Sequence, residues 1–509
     1  MKRKQLTLVI VSLLVVVLSV SLAWFTTQII GKGKNLNVSS ANLQIVFTDS
    51  DGAISGSNIE PGWSDTKTFT VENNSKSEYK YNIVIKDLMN TFVTNGYLQY
   101  KITSTNDGYN MTEFKDIPKS SASKDTILAY SVSIPVGVKQ SYTIEFKYAN
   151  DESVDQSDDM GKKLSGTLFI TEGTEQPTLL SQILKDNPTR STRSNNNNGT
   201  NDFATPLTTT TTGTLFTSTE SITGVTDIPK EVYYYAGNTT NNWVKFANLY
   251  WRIIRTNHDG SIRLLYVGTS HDTTTGNIGE SAFNTNSNSP KYVGYKYGED
   301  TSLDTIRNNT TDSTIKTFID SWYQNNLTNY TKYLSTSAVY CNDRSLGTGQ
   351  TYSVSSDFIF APYYRMDYDT NGTSANPSYN CSDVRDAFSV DNTSAKLDYP
   401  VSLMTADEIA FAGGVAFKKM NTPYTWFISN SAGTQVSTTS WWSLSPIYWI
   451  GSSAYVWVWS SDHANLNINF VNSSRAVRPA ISLKSCIKYS TGDGTSESPY
   501  EIVETSSGC

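Results

Sequence analysis

Between Asn35 and Thr171 apolar and polar residues alternate in short runs, each closed by turn residues. Leu43-Gln44-Ile45-Val46-Phe47, Thr66-Lys67-Thr68-Phe69-Thr70-Val71, Tyr81-Asn82-Ile83-Val84-Ile85 and Tyr142-Thr143-Ile144-Glu145-Phe146 are the clearest of them. Successive side chains of an extended chain point to opposite faces, so each run makes a ribbon with one apolar side that has to be covered. Many such ribbons in succession predict an antiparallel β-sandwich over residues 35–171. A repeated device supports this: Ile59-Glu60-Pro61-Gly62 precedes one run and Ile134-Pro135-Val136-Gly137 another, each a Pro/Gly turn delivering the chain into a strand.

The alternation stops at Glu172. Asn195 to Asn198 and Thr208 to Thr212 are low-complexity polar runs, so residues 172–230 read as a flexible linker. Within it only Leu179-Leu180-x-x-Ile183-Leu184 has helical spacing, ending before Pro188. From residue 231 to 509 the pattern returns. Trp243–Phe246, Tyr250–Arg255 and Ile262–Val267 read as strands, with Asp259-Gly260 as a hairpin turn between the last two. Asp312 to Leu334 has Ile315, Phe318, Ile319, Trp322 and Leu327 on one helical stripe. Thr405-Ala406-Asp407-Glu408 is a capping box that starts another helix. Helices among antiparallel strands predict an α+β domain over 231–509. A chain of 509 residues also exceeds what one core usually supports. The expected fold class is therefore multi-domain, an all-β sandwich followed by an α+β domain.

Residues 1–30 carry a different signal. Met1-Lys2-Arg3-Lys4 is basic, Leu6 to Phe25 is uncharged, and Ser21-x-Ala23 offers small residues for cleavage. The segment reads as an export signal, or as an uncleaved signal anchor, since the run is long enough to span a bilayer. Either places the bulk of the chain outside the membrane, secreted or attached at the cell surface. Four cysteines fit an oxidising compartment, and closure of the shorter loops favours Cys341–Cys381 and Cys486–Cys509 over the other two connectivities. With a net charge of −7, nucleic acid is not an expected partner.

Tryptophans crowd the stretch Thr438–Trp459. If Ala454–Trp459 and Asn465–Phe470 pair as a hairpin with Trp459 opposite Asn465, one face becomes Ala454, Val456, Val458, Leu466, Ile468 and Phe470. The other becomes Tyr455, Trp457, Trp459, Asn465, Asn467 and Asn469, an aromatic-plus-amide surface suited to stacking a carbohydrate or peptide ligand. These six residues are the expected ligand site, with Trp441 and Trp442 as its scaffold. Cover by loops of the same domain is the competing reading of that face.

Catalytic signals are thin. There is no H-E-x-x-H, P-loop or G-x-S-x-G, and His258, His271 and His463 are the only histidines. No metal site, cofactor or enzymatic activity is expected. The acidic stretch Asp151, Glu152, Asp155, Asp158 and Asp159 reads as a solvated loop, with calcium as the alternative.

Two resemblances add to this. Leu22-Ala23-Trp24-Phe25-Thr26, Asn42-Leu43-Gln44-Ile45 and Ile59-Glu60-Pro61-Gly62-Trp63 through Asn74 resemble the camelysin-type family of Gram-positive bacteria, which includes the major biofilm-matrix fibre protein. That resemblance implies a cell-surface β-sandwich able to self-assemble. Some members are described as metallopeptidases, but a zinc site in this segment would lack histidines. The second half, through Trp441-Trp442-Ser443-Leu444-Ser445-Pro446 and Ala476-Val477-Arg478-Pro479-Ala480, resembles an uncharacterised bacterial extracellular domain family. Its ending is distantly similar to the formylglycine-generating-enzyme branch of the C-type-lectin fold. The implied function is adhesion by a lectin-like module on a β-sandwich stalk, and the alternative is a structural matrix or fibre subunit. Pro479 stands where oxidase members place a copper-binding cysteine, so their chemistry does not carry over.

Overall fold

Turn chemistry sets the first unit. Pro61 and Gly62 (φ 92°) bend the chain into the strand Ser64–Asn73, and Pro135 with Gly137 (φ 73°) does the same for Lys139–Tyr148. These two strands pair antiparallel from Ser64↔Lys147 to Glu72↔Lys139, so the two turns sit at opposite ends of one ribbon. They form the centre of a six-stranded sheet ordered Asn35–Ser40, Leu43–Asp49, Ser64–Asn73, Lys139–Tyr148, Leu98–Ser104 and Lys115–Asp116. A four-stranded sheet, ordered Ala53–Ser55, Leu164–Glu172, Tyr79–Asn90 and Ser120–Ile134, faces it. Phe69, Val71, Ile102, Ile144 and Phe146 from the first sheet share one core with Ile83, Ile85, Ile134 and Leu168 from the second. Lys139–Tyr148 buries every second residue, as period-two patterning requires. The sandwich expected from the sequence is present. Its long outer strand, Ser120–Ile134, is broken by four register shifts against Tyr79–Asn90, which blunts that edge against further pairing.

The computed structural model describes residues 35–40, 43–49, 53–55, 59–94, 96–193, 202–366, 375–420 and 424–509. The expected export segment, 1–30, lies outside them. Among the described residues no helix is long and apolar enough to cross a membrane.

The chain divides into two compact units, Met1–Gln176 and Pro177–Cys509. This corrects the flexible linker expected over 172–230, because most of that stretch is built into the second unit. Leu179–Asp186 is a helix capped by Thr178, whose hydroxyl accepts from the Ser181 amide at 3.1 Å. Its Leu179 and Ile183 are buried in the same core as Val244, Trp251 and Leu264. Thr189–Ser191, Thr214–Ile222 and Thr226–Tyr234 are strands of a ten-stranded sheet that continues through Leu249–Thr256, Trp243–Phe246, Tyr500–Ile502 and Tyr489–Thr491. Average composition misled here. Threonine is a good strand residue, and a few well-placed apolar side chains suffice where a neighbouring core already exists.

Ile262–Gly268 pairs with Leu249–Thr256 on one side and Pro479–Leu483 on the other, as the Asp259-Gly260 hairpin requires. Thr314–Asn326 is the expected amphipathic helix, shorter than its stripe because a 3-10 turn takes over at Thr328–Tyr333. Ala406–Ala412 begins with the expected capping box, the Thr405 hydroxyl accepting from the Glu408 amide and the Glu408 carboxylate from the Thr405 amide. Both disulfides form as expected, Cys341–Cys381 with Cα atoms 5.9 Å apart and Cys486–Cys509 at 5.7 Å. A second sheet carries the tryptophans: Trp441–Ile450, Ser453–Ser460 and Asn465–Phe470 lie side by side, with Phe358–Ile359 on the outer side of the first.

Candidate functional site

Gly451 and Ser452 both adopt positive φ (58° and 59°), the two-residue turn whose twist suits a tight hairpin. It pairs Ile450 with Ser453, Trp449 with Ala454 and Tyr448 with Tyr455. Beyond Tyr448 the ladder slips on either side of Pro446, which has no N–H to donate, and resumes with Trp442 opposite Val458 and Trp441 opposite Trp459. The next hairpin pairs Ser460 with Asn465, Trp459 with Leu466, Trp457 with Ile468 and Tyr455 with Phe470.

That register differs by one residue from the one expected, and it dissolves the aromatic-plus-amide face. Asn465, Asn467 and Asn469 oppose Ser460, Val458 and Val456, on the side away from the aromatics. Trp457 and Trp459 are fully buried, as are Trp441 and Trp442. Asn465 is buried, while Asn467 and Asn469 are partly exposed on the opposite side. The physical reason is cover on both faces. Parity can choose a register only when one face is open to water, and here Trp459 packs on Phe427 and Trp441 while Val456 and Val458 are buried behind it. The expected scaffold role of Trp441 and Trp442 holds; Trp457 and Trp459 join them in the core. Of the six expected site residues, Tyr455 alone belongs to an accessible aromatic surface.

That surface is a row of rings across the sheet. Tyr448, Tyr455 and Phe470 sit on three adjacent strands, with ring centroids 4.8 Å and 4.3 Å apart. Tyr363 extends the row 5.9 Å from Tyr448, and Tyr364 follows 5.9 Å further on. Phe417 lies 5.6 Å from the buried Trp457, which also stacks under Tyr363. Phe470 is 44%, Phe417 46% and Tyr364 40% exposed, while Tyr363, Tyr448 and Tyr455 are partly covered by one another. Phe417 holds its place with φ at 59°, a strained conformation for an aromatic residue, and its amide donates to the Leu466 carbonyl. The rings are uncharged. Burial pushes the Tyr448 phenol up to about 12 and raises that of Tyr455 as well.

The short helix Ala361–Met366 positions Tyr363 and Tyr364, and its anchor is electrostatic. Arg365 donates its Nε and Nη2 to both oxygens of Asp407 (2.8 and 3.1 Å) and Nη1 to Asp343 (2.7 Å). Gly347 lets the Tyr364 ring approach the backbone: a Cβ there would lie 2.0 Å from it. Arg365, Asp343 and Asp407 also line a narrow crevice, together with Glu220, Arg255, Arg263, Tyr379, Thr405 and Cys341 of the first disulfide. Arg255 bridges Glu220 (2.8 Å) and Glu408 (2.9 Å), and Arg263 also donates to Glu408 at 2.6 Å. Burial alone would raise the Glu220 carboxyl, but the Arg255 guanidinium and His258 outweigh it and hold it at about 2. The same contest leaves Glu408 and Asp343 below the ordinary carboxylate range. These carboxylates are fixed as anions near neutral pH, which suits them to hold structure rather than to exchange protons.

One other constellation is filled by the chain itself. Asp312, Asp320 and Asp398 come close enough together to share a cation, and the ammonium of buried Lys316 occupies that position at 3.0, 2.5 and 2.6 Å. In the acidic loop, Asp151 accepts from Ser153 and Tyr97, Asp155 from Ser157, and Asp159 from Tyr148 and the amides of Val93 and Thr94. Arg478 of the Val-Arg-Pro-Ala ending is buried and donates to the carbonyls of Phe427 and Tyr266; with burial as the cause, its guanidinium comes down to about 9. Sequence reasoning missed the charged network, although Arg255 and Arg263 stand within apolar strand runs where a side chain has to be buried. It also missed Tyr363, Tyr364, Phe417 and Tyr448, which come from separate segments.

No family model, no curated protein and no solved structure matches the chain.

Proposed function

We propose that this is an exported cell-surface protein whose second unit, a lectin-like module carried on the β-sandwich, binds a carbohydrate chain on its aromatic face. The observation that carries the reading is the row Phe470–Tyr455–Tyr448–Tyr363–Tyr364, five rings spaced 4.3 to 5.9 Å apart and partly open to solvent. Sugars present apolar ring faces edged by hydroxyls, and aromatic side chains with phenolic tips meet both needs. The row carries no ionised group, which favours a neutral glycan over a charged peptide. Backing by Trp457 and Phe417 and the Arg365 clamp hold the rings in place before a ligand arrives, which lowers the ordering cost of binding. Adhesion to a glycan-coated surface is the corresponding role. A glycan array probed with the full chain, beside an array of neutral and acidic peptides, tests the reading: retention on neutral glycans supports it, and retention on peptides alone replaces it.

A further inference from the structure

We infer that Phe417 is a ligand-contacting residue of the aromatic face, held against its own backbone preference so that its ring stays open to solvent. The inference deepens the glycan reading and rests on it. Among the described residues, every other non-glycine residue with positive φ is Asp, Asn, Ser or Ala. Those side chains are short, and Asn and Asp tolerate the left-handed region through local hydrogen bonds. Phe417, at φ 59°, is the one bulky side chain among them, in a conformation that costs stability unless something offsets it.

Packing offsets only part of it. The ring lies 5.6 Å from Trp457, yet the residue is 46% exposed. Main-chain bonding does not call for phenylalanine either. The Val415 carbonyl accepts from the Leu466 amide, the Phe417 amide donates to the Leu466 carbonyl, and the Met420 amide donates to the Ala464 carbonyl. The segment thus follows the outer edge of the strand Asn465–Phe470 through backbone groups alone, and glycine or asparagine would make the same turn without strain. What phenylalanine adds is a ring at this place. Phe417, Phe470 and Tyr364 are the most exposed aromatic side chains among the described residues, and all three belong to this one face. Tyr363 reaches Trp457 from the Tyr448 side and Phe417 from the Asn465–Phe470 side, so the ring row has an aromatic flank on each. The Phe417 flank is purely apolar, which suits the apolar face of a sugar ring.

The test is an array of linear neutral oligosaccharides (gluco-, manno-, galacto- and N-acetylglucosamine chains), probed with the full chain at graded concentrations. Phe417→Asn keeps the turn and removes the ring, so it raises the half-saturating concentration on the retained glycans about tenfold while melting no lower than the parent. Phe417→Ala loses the same affinity but melts below Phe417→Asn, because alanine keeps the strain. Phe417→Tyr keeps the ring and binds as the parent does. Parent-like binding by Phe417→Asn overturns the inference; if Tyr455→Ala loses binding in the same experiment, the glycan reading itself still stands. A melting temperature of Phe417→Asn several degrees below the parent's also overturns it, since the ring is then core. A parent chain that retains none of these glycans removes both.

Discussion

Replacing Trp457 by alanine separates core from surface in this sheet more sharply than any other single change. The indole is fully buried, with Tyr363 stacked at 6.1 Å on a nearly parallel plane and Phe417 at 5.6 Å. Truncating a buried tryptophan costs about 3–5 kcal/mol through lost transfer energy and the cavity left behind. Each aromatic contact adds about 0.5–1.5 kcal/mol, so the upper end of that range is expected. Phe470, at 44% exposure, keeps less to lose, and Phe470→Ala should cost under about 1.5 kcal/mol. Urea unfolding of the two variants, followed by near-ultraviolet circular dichroism, reads the difference as a midpoint shift at constant slope. If Trp457→Ala lies within about 1 kcal/mol of the parent, the indole is not core and the register described above is wrong.

Three further outcomes follow from the charges and bridges. The Glu220 carboxyl, held at about 2 against an ordinary 4.5, contributes stability that is complete above pH 4.5 and is lost as pH falls towards 2. The loss amounts to about 3 kcal/mol, and Glu220→Gln should flatten that part of the stability–pH curve; an unchanged curve counts against the buried pairing. Lys316→Met leaves three carboxylates around an empty position and should lower the melting temperature by several degrees, with partial recovery when millimolar calcium enters the vacated cluster, read by calorimetry. Removing Cys341 and Cys381 together should destabilise the second unit by about 3–4 kcal/mol and leave the sandwich transition in place, which differential scanning calorimetry resolves.

The sandwich was legible because each of its strands buries one face, so period two reports burial directly, as the alternating exposure of Lys139–Tyr148 records. The capping box at Thr405 and Glu408 was legible for a similar reason, since both partners lie within one turn of helix. Long-range partners were not. Glu408 also accepts from Arg255 and Arg263, residues 153 and 145 positions away, and local sequence does not encode such a meeting. The hairpin register failed on the same ground. Ala454–Phe470 reads as one open and one covered face only if nothing packs on the other side, whereas Phe427, Tyr363 and Phe417 arrive there from distant segments. Both cysteine pairs were read correctly because loop closure favours near neighbours, and no competing contact overrode that preference.

Binding at the aromatic face is the central claim, and isothermal titration of the full chain with a neutral glycan retained on the array addresses it most directly. Tyr455→Ala and Phe470→Ala should each weaken binding by about 2 kcal/mol, roughly thirtyfold, with melting temperatures close to the parent's. Tyr379→Phe, which alters the crevice and not the ring row, should bind the same glycan with unchanged affinity. Equal affinity in the Tyr455→Ala and Phe470→Ala variants, or no glycan retained by the parent chain, would contradict the account.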